Sequence, residues 1–243
     1  MAEGQTRRAL FRWLGWFAMA NAVILALIGL GYFSGYMPGR SALAWVYLVT
    51  VYAGHHVMIA VGPLFLLATP VVLLAPRRRL VMALAVFIFA IMIALIMLDS
   101  LLWQQSRFHI NILTMKILGW QSWLFVAVIF LIGLVFESML AGWCWRWVMA
   151  RSPRHGRLVA LVAVVSIIIS QSIHAWADAT YFVPVTSVGQ QLPVYEGITA
   201  KKQLTRWGLV DPEQSREQVV ARRLSRQLDS AADRLLNRAM DIR

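Results

Sequence analysis

The sequence predicts an all-α integral membrane protein: a five-helix transmembrane bundle with a short interfacial and linker helical segment on its outer side. Three observations carry this. Hydrophobic residues make up 60% of the 243-residue chain and charged residues only 14%, a balance outside the range of soluble domains. Five apolar stretches each hold the ~20 residues that cross a ~30 Å hydrocarbon core as a helix. The basic clusters between them fall on one alternating side, the signature of a fixed orientation.

The first stretch runs from Trp13 to Phe33 behind Arg7, Arg8 and Arg12. Ala18-Met19-Ala20 mimics the cleavage site of a secretory signal. The apolar run continues to Leu30, however, and Trp13, Trp16 and Phe17 suit an interfacial anchor, so the span reads as retained. The second, Ala42 to Ala75, is long enough to tilt or to project beyond the bilayer. Pro63 and Pro70 should kink it, which a bundle tolerates because freed carbonyls find partners on neighbouring helices. Arg77, Arg78 and Arg79 precede the third, Leu80 to Trp103, while Arg146, Arg151, Arg154 and Arg157 surround the junction of the fourth, Gln121 to Met149, with the fifth, Leu158 to Ala177. The positive-inside rule puts these clusters and the N-terminus in the cytoplasm. Residues 1–177 then form the membrane domain, and residues 178–243 lie outside.

Ten basic residues are thus spent on topology, so the net charge of +12 is no nucleic-acid footprint. The single cysteine, Cys144, excludes an intrachain disulfide and reads as a buried, inert thiol. Trp13, Trp16, Trp103, Trp120, Trp123, Trp143, Trp145, Trp147 and Trp176 cluster at span ends, as an aromatic belt does. Between the third and fourth spans, Ile112 to Leu118 is too apolar for an ordinary water-exposed loop and reads as a short helix in the headgroup layer.

Ionisable groups inside the membrane cost ~2.5 to 3.5 kcal/mol when they face lipid, so they should face the bundle interior. His55 and His56 lie in the second span, Asp99 near the outer end of the third, Glu137 in the fourth, and His174 and Asp178 at i, i+4 on the fifth. Two readings stand: a ligand or proton-relay set, or hydrogen bonds that fix helix packing. Packing is the better account, because the histidines lie on different helices or faces and no compact metal-ligand motif appears. No cofactor is implied.

After the last span, Ala175 to Thr186 reads as an extended, Pro-punctuated exit. Thr199 is placed to cap a short helix carrying Lys201, Lys202 and Arg206, with Ile198, Leu204 and Trp207 beside the charge. That combination suits a lipid headgroup, and equally a solvated basic helix face. Asp211-Pro212-Glu213 is a helix start, and Val220, Leu224, Leu228, Leu235 and Ala239 recur along one face of the helix that follows.

Leu98-Asp99-Ser100, Arg107-Phe108-His109-x-Asn111, Trp176-Ala177-Asp178-Ala179, Tyr181, Pro184, Thr186, Leu192-Pro193 and Thr199-Ala200 with two basic residues before Gly208-Leu209 follow in an order that resembles the membrane domain and linker of the PbgA/YejM family, over residues 50–212. The resemblance implies a protein of the Gram-negative inner membrane with its C-terminal segment in the periplasm. It implies a non-enzymatic sensor that binds lipid A, the lipid part of lipopolysaccharide, or another anionic phospholipid. Such a sensor regulates lipopolysaccharide synthesis and outer-membrane balance through the adaptor protein that directs proteolysis of the lipid A deacetylase. Thr199, Ala200, Lys201 and Lys202 match the family's Thr-Ala-Arg-Arg phosphate contact, with lysines where the family has arginines; a lysine is a point charge and makes no bidentate phosphate contact. The family also implies a following domain similar to sulfatases and phosphoethanolamine transferases, expected to be missing here either because the chain is cut from a longer protein or because it is a natural short relative, and hence the competing role of a membrane anchor for such an enzyme. No Asp/His metal set with a Ser or Thr nucleophile is present in the outer segment, so the chain reads as non-catalytic. A lipid or ion carrier built on His55, His56 and Glu137 ranks last, for want of an internal repeat.

Overall fold

The computed structural model describes residues 3–151 and 153–240, with side chains left undescribed at residues 3–5 and over most of 222–240. The described residues form helices and no strand. The helices are α1 (Glu3–Gly29, extended by a 3-10 turn to Phe33), α2 (Ala42–Leu74), α3 (Arg78–Ser106), α4 (Ile112–Ile117), α5 (Trp120–Arg151), α6 (Gly156–Ala179), α7 (Val183–Gly189), α8 (Lys201–Arg206) and α9 (Pro212–Met240). Five of them, α1, α2, α3, α5 and α6, are long and apolar enough to cross a membrane. α2 matches its predicted stretch to within a residue, and the other four run past theirs because polar and basic residues at the ends continue the helix.

The helices pack as a chain of neighbours. α5 lies on α3, α3 on α1, α1 on α2, and α2 on α6. Small residues set the closest approaches: a Cβ on Gly133 of α5 would meet the Ala90 backbone of α3 at 3.4 Å, and one on Gly54 of α2 would press into Ile167 of α6. Close backbone contact of this kind holds helices together where burial of apolar surface supplies no drive. The core divides in two. Leu14, Phe17, Leu64 and Phe89 centre the larger part among α1, α2, α3 and α5. The smaller, Tyr47, Val51, Ala177, Val185, Val188 and Leu192, joins the outer ends of α2 and α6 to α7 and the linker.

Several expectations are revised. α2 stays helical through Pro63 and Pro70, which interrupt its hydrogen bonding without ending it. Trp13 belongs to no belt: it is fully buried, stacks on Phe17 at 4.8 Å and donates from Nε1 to the Ala141 carbonyl at 3.2 Å. Trp103 is buried too, whereas Trp120 and Trp143 face outward as a belt requires. The second lone pair of a helical carbonyl is what lets an indole N–H enter the core.

The exit from the membrane is helical and not extended. α6 ends in a Schellman closure, with Phe182 N–H on the Ala177 carbonyl (2.8 Å) and Tyr181 N–H on that of Asp178 (3.3 Å). Tyr181 takes the left-handed position, φ 53°, where glycine is usual. The chain turns at once into α7, whose first turn accepts Pro184 because those N–H groups have no helical partner. Asp211 caps α9 as expected, its Oδ1 accepting from Glu213 and Gln214 N–H at 3.0 and 3.1 Å. Val220, Leu224 and Leu228 of its apolar stripe are exposed; the side chains of Leu235 and Ala239 lie outside the described residues.

Candidate functional site

The linker after α7 folds back along α6. Tyr195, Gly197 and Ile198 lie against that helix: Ile198 N–H donates to Gln171 Oε1 at 2.8 Å, and Gly197 seats on the His174 ring with no room for a Cβ. Gln171 lies two turns before the end of α6, roughly 12 Å down its axis at 1.5 Å per residue. The strand of linker therefore re-enters the outer part of the bundle. Tyr47 of α2 holds the other side. Its hydroxyl bonds His174 Nδ1 at 2.8 Å and donates to the Tyr195 hydroxyl at 3.0 Å. His174 is thus engaged with Tyr47, and Asp178, one turn on along the same helix, ends half-buried at the close of α6. Burial pushes the Tyr195 hydroxyl above its ordinary pKa and keeps it neutral as an acceptor. His55 and His56 face different ways. His55 sits edge-on to Tyr195 at 5.6 Å, while His56 bonds the Tyr52 carbonyl through Nδ1 at 2.8 Å, and the Tyr52 hydroxyl donates to the Ala26 carbonyl of α1.

This docking lays the basic segment against the side of the bundle, where α8 packs on α6. Thr199 is not its cap. The helix starts one residue later, with Ala200 in the capping position and no side-chain cap, and a second Schellman closure at Gly208 (φ 68°) ends it after six residues. Lys201 is held over the Tyr181 ring, Nζ 4.2 Å from its centroid. Lys202 and Arg206 are exposed, and so are Ile198 and Trp207, at 57% and 69%. Exposed cations and large apolar side chains thus alternate along residues 198–207.

A second cluster braces the outer end from α3. Asp99, 4% exposed, accepts from the Ile110 N–H at 2.5 Å and bonds His109 Nδ1 at 2.8 Å. His109 stacks on Trp103 at 4.3 Å and reaches the Gln190 carbonyl after α7. Arg107 closes α3 in the left-handed conformation, φ 59°, and donates to the Ser34 carbonyl at 3.1 Å. Asn111 then starts α4 with a reciprocal capping box to Thr114, so a short helix stands where the sequence predicts one, with Ile112, Leu113 and Ile117 exposed.

Glu137 belongs to neither cluster. It is fully buried on α5, where Asn21 of α1 donates to its Oε2 at 3.1 Å and also to the Phe17 carbonyl. Asn21 has no counterpart among the sequence candidates; an Asn within an apolar span was the available signal. Glu137 and His174 thus bond across helices, to Asn21 and Tyr47, whereas His56 bonds within α2 and Asp99 bonds the segment that follows α3. Asn21→Ala and Glu137→Ala should each lower stability, with the double variant no worse than the single ones. A double-mutant cycle of unfolding in detergent should give a coupling of about 1 kcal/mol; strict additivity would show that the bond does not join the helices.

Residues 2–230 match the family described as a domain of unknown function (DUF3413). The chain is 26% identical over 221 residues to the inner membrane protein YejM of Salmonella typhimurium, and equally to that of Salmonella typhi, covering 86% of this chain and 37% of each relative. An uncharacterized protein of Haemophilus influenzae is 23% identical over 216 residues, 83% of this chain and 36% of its own length. The chain therefore spans little more than a third of these relatives. A match over nearly all its length, joined to five membrane-spanning helices and the docked linker, makes the chain a member of the DUF3413 family and an inner-membrane protein of the PbgA/YejM type.

Proposed function

We propose that this protein is a non-enzymatic sensor of phosphorylated lipid in the inner membrane, with lipid A as its ligand, and that it regulates lipopolysaccharide synthesis through a protein partner of the adaptor class. Residues 1–177 act as the membrane domain and residues 178–243 as the periplasmic linker, with the N-terminus in the cytoplasm. One observation supports this above others: the linker is pinned to α6 by Gly197 and Ile198, which holds Lys201, Lys202, Arg206, Ile198 and Trp207 beside the bundle. A phosphorylated lipid supplies both partners this surface lacks, an anion for the lysines and acyl chains for Ile198 and Trp207. Thr199 and Ala200 contribute backbone N–H groups beside the phosphate.

The test is native mass spectrometry of the full chain with lipid A. The wild type should retain it, and Lys201→Ala/Lys202→Ala should lose about thirtyfold in retention, at ~1 kcal/mol per interfacial cation, with a weaker salt dependence in what remains. Bulk phospholipid alone in both samples would remove the sensor reading. The second reading, a membrane anchor that positions a sulfatase- or phosphoethanolamine-transferase-like domain over its lipid, would then take its place; it is supported by the greater length of the relatives.

A further inference from the structure

A groove opens between α1 and α6 with α2 as its floor, at the arginine-rich end of the bundle and away from the linker. It encloses 720 Å³. Gly15 of α1 and Gly62 of α2 line it, and a Cβ on either would meet nothing within 4 Å, so the groove is open space in the helix packing. Val61, Phe65 and Ile167 represent its apolar walls. The three charged residues that line it, Arg12, Arg154 and Arg157, are all at one end, where α5 turns into α6. Arg154 and Arg157 are exposed there. The Trp16 indole nitrogen lies 4.0 Å from the Cβ position of Gly156, which adds an N–H donor at the same level.

We propose that this groove binds an anionic diacyl phospholipid of the phosphatidylglycerol class, in the leaflet opposite to the one that Lys202 faces. Length fits. From Gly156 to Ile167 the wall of α6 measures about 16 Å at 1.5 Å per residue, close to the ~15 Å of half a hydrocarbon core. An acyl chain lying in the groove ends at the midplane with its phosphate at the arginines. Charge fits as well. Arg157 stands in the first turn of α6, where a cation opposes the helix dipole and an adjacent anion relieves that opposition. Basic pockets between helices on the cytoplasmic side are the general form of an anionic headgroup site, and the positive-inside rule assigns this end to that side.

The probe is a nanodisc of equimolar phosphatidylethanolamine and phosphatidylglycerol, from which the full chain is released for native mass spectrometry. The wild type should retain phosphatidylglycerol in preference to phosphatidylethanolamine. Arg154→Ala/Arg157→Ala, both exposed and outside the core, should reduce that retention about thirtyfold. Gly62→Phe should fill the groove and reduce retention of both lipids, whereas Lys201→Ala/Lys202→Ala should leave the preference unchanged, which separates this site from the linker. Equal retention of the two lipids by the wild type, or full phosphatidylglycerol retention by the arginine variant, overturns the proposal; the arginine variant decides it alone if Gly62→Phe fails to fold.

Discussion

Replacing Asp99 with Ala should lower the stability of the bundle by about 3 kcal/mol, because two donors in a dry site lose their acceptor together. Asp99 holds the Ile110 N–H and His109 Nδ1 at the outer end of α3. Without it, His109 has no reason to remain stacked on Trp103 or to reach Gln190. The segment from Arg107 to the start of α4 should come loose, and α7 should lose one of its braces. Thermal unfolding in detergent and hydrogen exchange over residues 107–118 read the two effects. Asp99→Asn should be milder, since the carboxamide oxygen still accepts from Ile110 while its NH₂ meets the unprotonated form of Nδ1. Equal melting temperatures and equal exchange in Asp99→Ala and wild type would show that the cluster is ornamental to the fold.

The membrane architecture was legible because it rests on one-dimensional quantities. Apolar length gives the five spans and needs no contact map. The α9 start and the α4 helix were legible for a similar reason: Asp211-Pro212 and Asn111 with Thr114 act within one turn. What the sequence concealed is pairing across helices. Glu137 stood out as an ionisable residue in lipid, but its partner Asn21 is separated from it by 116 positions. Trp13 and Trp103 look like belt residues by their place near span ends, and only the packing of α1 on α5 and of α3 on the outer cluster turns them inward. The exit after α6 misled for a local reason. Tyr181 occupies a left-handed position that glycine usually marks, so the Schellman closure left no compositional trace and Pro184 read as a breaker when it is a helix starter. The candidate lipid residues were found as a cluster of types, but their depth, set by Gln171 and His174, was not.

That depth rests on one glycine, and Gly197→Ala should abolish it. A methyl group at this position would enter the His174 ring. Elsewhere a terminal ring would swing aside, but His174 is fixed by its bond to the Tyr47 hydroxyl and flanked by the Tyr195 ring at 5.9 Å. The backbone must therefore lift. Overpacking of this kind costs about 1 to 3 kcal/mol, which exceeds the net worth of about 1 kcal/mol for the single Ile198 to Gln171 bond that follows it. Residues 195–207 should then undock from α6 while the five membrane helices stay assembled, because the contact lies outside the larger core. Hydrogen exchange should rise at Ile198 and across α8 with little change in α1, α3 and α5, and lipid A retention should fall although Lys201, Lys202 and Arg206 are intact. His174→Ala combined with Gly197→Ala should recover part of the docking, since it removes the obstacle. If Gly197→Ala leaves Ile198 protected, the linker is held by Leu192 and Tyr195 instead, and the lysines owe their depth to the smaller core.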